Sequence, residues 1–307
     1  MRLLVTGASG FVGGAAVRRL LADGHAVRAA LRRPAALPAG VEPVVVGDFA
    51  LAVAWREALA GIDAVVHLAG VAHGKDPGRA QAVNVEAMRR LAQAAATAGV
   101  HRFVLLSSVK AMADRSTRPL TERDPPQPAD DYGRSKLAAE HLLADAASNS
   151  GMEAVILRPP LVFGPGVAAN FLALLRLVAS GVPLPLDGIG NRRSLIFVEN
   201  LADAIAVATG HAGSAAGTWL VADQPAHSTP ALIRAIAAAL GCPARLFALP
   251  GPLLRIAEAL PGGGALARLN GSLELDDQAF RARFGWTPPV AFSRALAVTA
   301  EWFLKNR

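Results

Sequence analysis

Cysteine, tyrosine and lysine are almost missing from this chain. Among 307 residues there is one cysteine, one tyrosine and four lysines, and aromatics make up only 5%. A lone cysteine, Cys242, excludes an internal disulfide framework, fits a reducing compartment, and reads as a small buried hydrophobe. Long apolar runs are missing too, because Arg, Asp or Glu interrupts every stretch before it reaches the length of a membrane span. The opening Met1 to Gly7 is too short an apolar run for a signal peptide. The expectation is a cytoplasmic protein without membrane insertion. Lys plus Arg number 31 against 24 Asp plus Glu, a net charge of +7. The arginines are scattered, with no basic run and no interleaved aromatics, so no nucleic-acid partner is expected. The excess suits an anionic small molecule instead. No metal site is expected.

Hydrophobic residues form 52% of the chain, enough for a large core. Arg2 to Thr6 reads as a strand, and Gly7-Ala8-Ser9-Gly10-Phe11-Val12-Gly13 follows at once, then a helical pattern stopped by Gly24. Strand, glycine turn, helix is the context of a phosphate-binding loop. Gly7 permits the tight turn, Gly10 lets backbone approach a pyrophosphate, and Gly13 lets helix pack on strand. A second strand, Ala26 to Leu31, ends at Arg32-Arg33 with no acid, which favours NADP(H) over NAD(H). A third, Pro43 to Gly47, delivers Asp48-Phe49. There Asp48 either meets an adenine amine or caps a helix starting near Leu51. A fourth strand, Ile62 to Leu68, leads to Ala69-Gly70, small residues that let a cofactor lie against backbone; His67 within it reads as a core histidine. The next helix carries Asn84, and a fifth strand ends in Ser107-Ser108. Residues 114–131 form a long Pro-rich, charged loop.

After that loop the only tyrosine and one of the four lysines meet at i and i+4, as Tyr132 and Lys136. On a helix this spacing stacks them on one face. An ammonium beside a phenol favours the phenolate, so a group of free pKa about 10 could exchange protons near neutrality. A sixth strand, Glu153 to Leu157, completes a steady β-α alternation. The fold expected is α/β, a doubly wound parallel Rossmann sheet with a smaller C-terminal α/β lobe. Residues 1–166, with about 194–226 returning, would form the dinucleotide-binding domain, and 167–193 with 227–307 the substrate lobe.

The glycine loop, Ser107-Ser108 and Tyr132 to Lys136, taken in order, resemble the extended short-chain dehydrogenase/reductase family of nucleotide-sugar epimerases, dehydratases and 4-keto reductases. The resemblance implies Ser108, Tyr132 and Lys136 as catalytic residues. It implies cofactor contacts from Gly7, Ser9, Gly10, Phe11, Val12, Gly13, Arg32, Asp48, Phe49, Leu68, Ala69, Gly70, Asn84, Ser107 and Pro159, besides Tyr132 and Lys136. Leu157 to Gly166, Asn170-Phe171 and Asn191 to Leu195 look like bacterial UDP-sugar enzymes of surface-polysaccharide synthesis. That likeness implies a UDP-sugar substrate contacted by Asn170 and Arg193, with Arg268 and Lys110 as weaker candidates, and a homodimer through the Tyr132 helix and the helix before it. Leu161 stands where UDP-galactose epimerases carry Asn, and Arg32 where they carry an acid. Since Arg32 suits an exchanged NADPH, a 4-keto-6-deoxy UDP-amino-sugar reductase ranks ahead of a UDP-sugar 4-epimerase. A reductase of non-nucleotide carbonyls and a non-catalytic NAD(P)-binding protein stay open as alternatives.

Overall fold

Both faces of the central strands are apolar, and this dictates the architecture. In β1 (Arg2–Thr6), Leu3 and Val5 belong to one core cluster and Leu4 to another. The same alternation continues in β4 (Ala64–His67), β5 (Arg102–Leu106) and β6 (Glu153–Arg158). There Val66, Val104 and Val155 face one way while Val65, Phe103 and Ile156 face the other. A sheet with two apolar faces must be covered twice. The computed structural model describes residues 1–71, 77–250 and 269–306, and in it helices cover both faces. On the first face lie α1 (Phe11–Ala22), α6 (Ala169–Ala179), α7 (Val198–Gly210) and α8 (Thr229–Leu240). On the second lie α2 (Trp55–Leu59), α4 (Ala87–Thr97) and α5 (Asp131–Ser148), with α3 (Pro77–Gln81) leading into α4 through a π-helical turn at Ala82–Glu86.

With β2 (Ala26–Leu31), β3 (Val41–Val45) and β9 (Gly217–Leu220), the strands form a 7-stranded sheet in the order β3-β2-β1-β4-β5-β6-β9. Every pairing in it is parallel. The order reverses between β1 and β4, which opens a crevice at their carboxyl ends, the place where such sheets bind ligands. Three elements make a second sheet: β7 (Leu161–Phe163) lies parallel to β8 (Arg193–Phe197), and β10 (Asp223–His227) pairs with β8 antiparallel. The residues after β6 therefore divide between the two sheets. Two further helices, α9 (Gln278–Phe284) and α10 (Phe292–Lys305), close the chain. Phe171 of α6, Ile233 of α8 and Phe303 of α10 lie in the same cluster as Leu3 and Val5, so one core runs from the large sheet into the lobe.

One local expectation is overturned. The helix after Asp48 begins at Trp55, capped by Ala54, and not near Leu51. Asp48 accepts instead from the Ala50 amide at 3.0 Å, a side-chain turn that competes with helix initiation. Pro43 stands within β3, which pairs only with β2; an edge strand tolerates the missing donor. No described helix is long and apolar enough to cross a membrane.

Candidate active site

The crevice starts with geometry that only glycine permits. Gly7 has φ +72, and a Cβ there would stand 2.7 Å from the Ala69 nitrogen. A Cβ on Gly13 would collide with the Gly7 carbonyl, so the first turn of α1 can lie on the β1 end only without one. Gly10 is the N-cap of α1 and gives it no side-chain cap. The helix therefore presents its first amides outward, the arrangement that holds a phosphate group. Next to it, Thr6 Oγ1 accepts from the Ala69 amide at 3.2 Å and shares a 2.8 Å hydrogen bond with His67 Nδ1. His67 is buried, and burial pushes its pKa down to about 3, so it is a neutral core residue that ties β1 to β4. Gly70 is exposed at the floor of the crevice, and a Cβ on it would stand 3.2 Å from Lys136 Nζ and 3.3 Å from Asn84 Oδ1. These cradles, which a Cβ would fill, fit a dinucleotide.

Asn84 occupies the middle of the π-helical turn. Its amide donates to Val71 O at 3.0 Å and to Ser135 Oγ at 3.0 Å, while its Oδ1 accepts from the Val71 amide at 2.8 Å. A π turn of this kind often marks a functional position. Here it joins the strand loop, the helix and α5 through one side chain.

Asp130 caps α5, its Oδ1 accepting from the Gly133 amide at 2.7 Å. Ser108 ends the β5 segment and its Oγ accepts from the Lys110 amide at 3.2 Å, capping a short 3-10 turn at Val109–Ala111. The same Ser108 hydroxyl lies near enough to the Tyr132 phenol to lower its pKa. Lys136 is buried, and its Nζ donates to Leu106 O at 2.9 Å. Ser108, Tyr132 and Lys136 thus converge at the carboxyl end of β5, above Gly70.

The electrostatics differ from the sequence expectation in one respect. Burial pushes the Tyr132 phenol up to about 12; the Ser108 hydrogen bond works against this and the Asp130 charge adds to it. The Lys136 ammonium does not draw the phenol towards neutrality in this form. Burial lowers Lys136 itself to about 8, with the Glu140 charge opposing the fall.

Other expected residues fall in varied places. Ser9 is exposed in the glycine loop, and Phe11 and Val12 are half-buried in the first turn of α1. Arg32 is exposed at the end of β2, close enough to lower the pKa of Asp48. Asp48 is bridged to Arg79 at 3.0 Å. Phe49 turns into the core, edge-on to Trp55, so its ring is not in the crevice. Leu68 and Ala69 are half-buried beside Gly7, and Pro159 O accepts from the Val109 amide at 2.9 Å. The Ser107 hydroxyl donates to Glu140. Lys110 is partly exposed and paired with Asp114 and Asp130. Asn170 is exposed in the first turn of α6, where Ala168 is the cap. Arg193, largely buried, donates to Gly271 O at 2.8 Å beside Arg115, which with burial lowers its pKa. Arg268 lies outside the described residues. Cys242 is half-buried against the first core cluster.

Thr6, Arg79, Arg115 and Asp130 escaped the sequence reading. Only Asp130 left a local signal, an acid three residues ahead of Gly133 at a helix start. Among the described residues no group of three or more His, Cys, Asp or Glu side chains could hold a metal ion.

A model of the NAD dependent epimerase/dehydratase family matches residues 3–222. The UDP-glucose 4-epimerase of Vibrio cholerae is 35% identical over 314 residues, covering 99% of this chain and 95% of that protein. The solved structure of MoeE5 in complex with UDP-glucose and NAD is 26% identical and covers 100% of this chain and 99% of that one, with a TM-score of 0.79. The UDP-glucose 4-epimerase of Thermus thermophilus, solved in complex with NAD, is 25% identical, with 99% of each chain covered and a TM-score of 0.76.

Proposed function

The chain belongs to the NAD dependent epimerase/dehydratase family, and from that membership we propose that it is a UDP-sugar 4-epimerase working with NAD(H). The observation that carries the proposal is the Tyr132 phenol, near enough to Ser108 for that hydroxyl to lower its pKa, one helical turn from a buried Lys136 in the crevice. Bound NAD would supply a hydride acceptor and donor at C4 of the sugar. Tyr132 is placed to exchange a proton with the C4 oxygen, giving it in carbonyl reduction and taking it, once ionised, in carbinol oxidation. Ser108 hydrogen-bonds the C4 oxygen in both forms. Lys136 would place its charge beside the nicotinamide ribose, the Gly7–Gly13 loop would receive the pyrophosphate, and Asp48 would meet the adenine. Arg193, with Arg115 next to it, balances the UDP diphosphate.

The 4-keto-6-deoxy reductase, ranked first on sequence, takes second place because relatives spanning this chain are named UDP-glucose 4-epimerases. One observation still favours it. Arg32 and Arg79 bracket Asp48 at the β2 and β3 ends, where a 2′-phosphate would meet cations. A homodimer through α4 and α5, which pack side by side, belongs to either reading.

Spectroscopy of the purified protein, with release of any nucleotide on denaturation, separates the two. Stoichiometric NAD(H) supports the epimerase; a site that purifies without nucleotide and prefers NADPH to NADH supports the reductase. Tyr132→Phe should abolish turnover of a UDP-hexose while leaving nucleotide binding intact, and retained turnover would sink the mechanism.

A further inference from the structure

One turn beyond Lys136 on α5, a carboxylate is buried where water cannot reach it. Glu140 is 3% exposed. Arg158, at the end of β6 and 5% exposed, grips it with both arms, Nε to Oε1 at 3.0 Å and Nη2 to Oε2 at 2.5 Å. The Ser107 hydroxyl donates to the same Oε1. An ion pair this deep gains little over an apolar pair of similar volume, so fold stability alone is a poor reason for it.

Its partners suggest a better one. Ser107 precedes Ser108, and its amide is held by Leu157 O at 2.8 Å. Arg158 precedes Pro159, whose carbonyl holds the amide of Val109 on the other side of Ser108. Lys136 lies four residues before Glu140 on the same helix face. We propose that Glu140 is a positioning residue for Ser108, Tyr132 and Lys136: it ties α5 to the carboxyl ends of β5 and β6 and sets a negative charge beneath the Lys136 ammonium. The proposal rests on the reading of those three residues as the reacting set.

The surroundings of Lys136 leave Glu140 as the counter-charge. His67 faces it from β4 and is neutral through burial. Asn84 and Ser135 are uncharged, and Tyr132 on α5 stays protonated well above neutral pH. Arg158 from β6 is already paired with Glu140. Glu140 is the one group that raises the Lys136 pKa against its burial, which brings it down to about 8.

Four lysines in the whole chain make a direct test practical. With lysine labelled at Cε, NMR titration of the full-length protein should show one signal with its midpoint near 8, far below the ordinary lysine value. Glu140→Gln should lower that midpoint by about one unit and move the alkaline limb of turnover down with it. The double variant Glu140→Leu, Arg158→Met removes the pair without stranding a buried cation. It should fold, show a midpoint lowered by less because no Arg158 charge is left behind, and lose at least about tenfold in kcat. A Lys136 midpoint unmoved in either folded variant overturns the proposal. Loss of folding in both also overturns it, since the pair would then be a folding element only. The titration uses neither substrate nor nucleotide, so its outcome stands apart from whether a UDP-sugar is turned over.

Discussion

Gly133 leaves no room for a side chain beside the carbonyl of Lys110: a Cβ there would collide with that oxygen and crowd Pro128 at 3.0 Å. This close approach seats the first turn of α5 against the 3-10 turn that Ser108 caps, and so brings Tyr132 to Ser108. Gly133→Ala must push the two elements apart. We expect a stability loss of about 1–3 kcal/mol, as for overpacked sites, and a fall in kcat larger than the change in KM. Unchanged kcat in a folded variant would mean that the contact does not set the Tyr132–Ser108 distance.

The chain has one tyrosine, so tyrosinate absorbance reports Tyr132 alone. Burial holds its pKa up at about 12, and the nearby Asp130 carboxylate adds to the rise. Asparagine caps a helix as well as aspartate does, so Asp130→Asn should keep α5 intact while removing the charge. The prediction is a lower Tyr132 midpoint in the nucleotide-free variant, read by ultraviolet titration. A midpoint that rose or held would show that Asp130 does not act on the phenol.

Asp223 is buried under the lobe, where its Oδ2 accepts from the Phe197 amide at 2.8 Å and its Oδ1 from Asn200 at 2.9 Å. Burial outweighs these bonds and raises its pKa from 3.8 to about 6. Between those values the folded state holds the proton more tightly than the unfolded one. Its stabilising contribution is thus full below the unfolded pKa and is lost as pH rises through the folded one. Two units correspond to about 3 kcal/mol, the order of magnitude of the change. Denaturant titrations from pH 4 to 7 should show this slope in the native chain and lack it in Asp223→Asn. The same slope in both would remove Asp223 as its source.

Much of the site was legible because its demands are local. Gly13 is required by backbone contacts a few residues away and Gly7 by its positive φ, while Tyr132 and Lys136 stand one helical turn apart. The short apolar strands, alternating with helices, announced a parallel doubly wound sheet. What escaped depends on distance along the chain. Thr6 gains its role only by meeting His67 and Ala69, Glu140 by meeting Arg158 and Ser107, and Arg115 by lying beside Arg193. The Lys136 spacing was visible in the sequence, but the burial that raises the Tyr132 pKa was not. The edge near Asp48 shows the opposite error, since a good capping residue was in view and the chain used it for a turn.

The pairing of Arg193 with Arg115 leads to the last prediction. Arg193 opens β8, Arg115 comes from the loop after the 3-10 turn, and the Arg115 side chain lies 3.2 Å from the Cβ position on Gly271. Burial lowers the pKa of Arg193, and the nearby Arg115 charge adds to the fall. Two cationic side chains suit a diphosphate, the anion that the proposed substrate brings. Arg193→Ala should therefore raise KM for a UDP-sugar by about tenfold to a hundredfold, with a smaller change in kcat, as expected for a charged hydrogen bond made equally before and during reaction. Arg115→Ala should act in the same direction and more weakly, because Arg193 is the more deeply buried of the two. Steady-state kinetics on both variants, with nucleotide binding as the control, reads the outcome. If KM is unaffected in Arg193→Ala, the diphosphate does not sit there, and the nucleotide-sugar reading loses its substrate-side support.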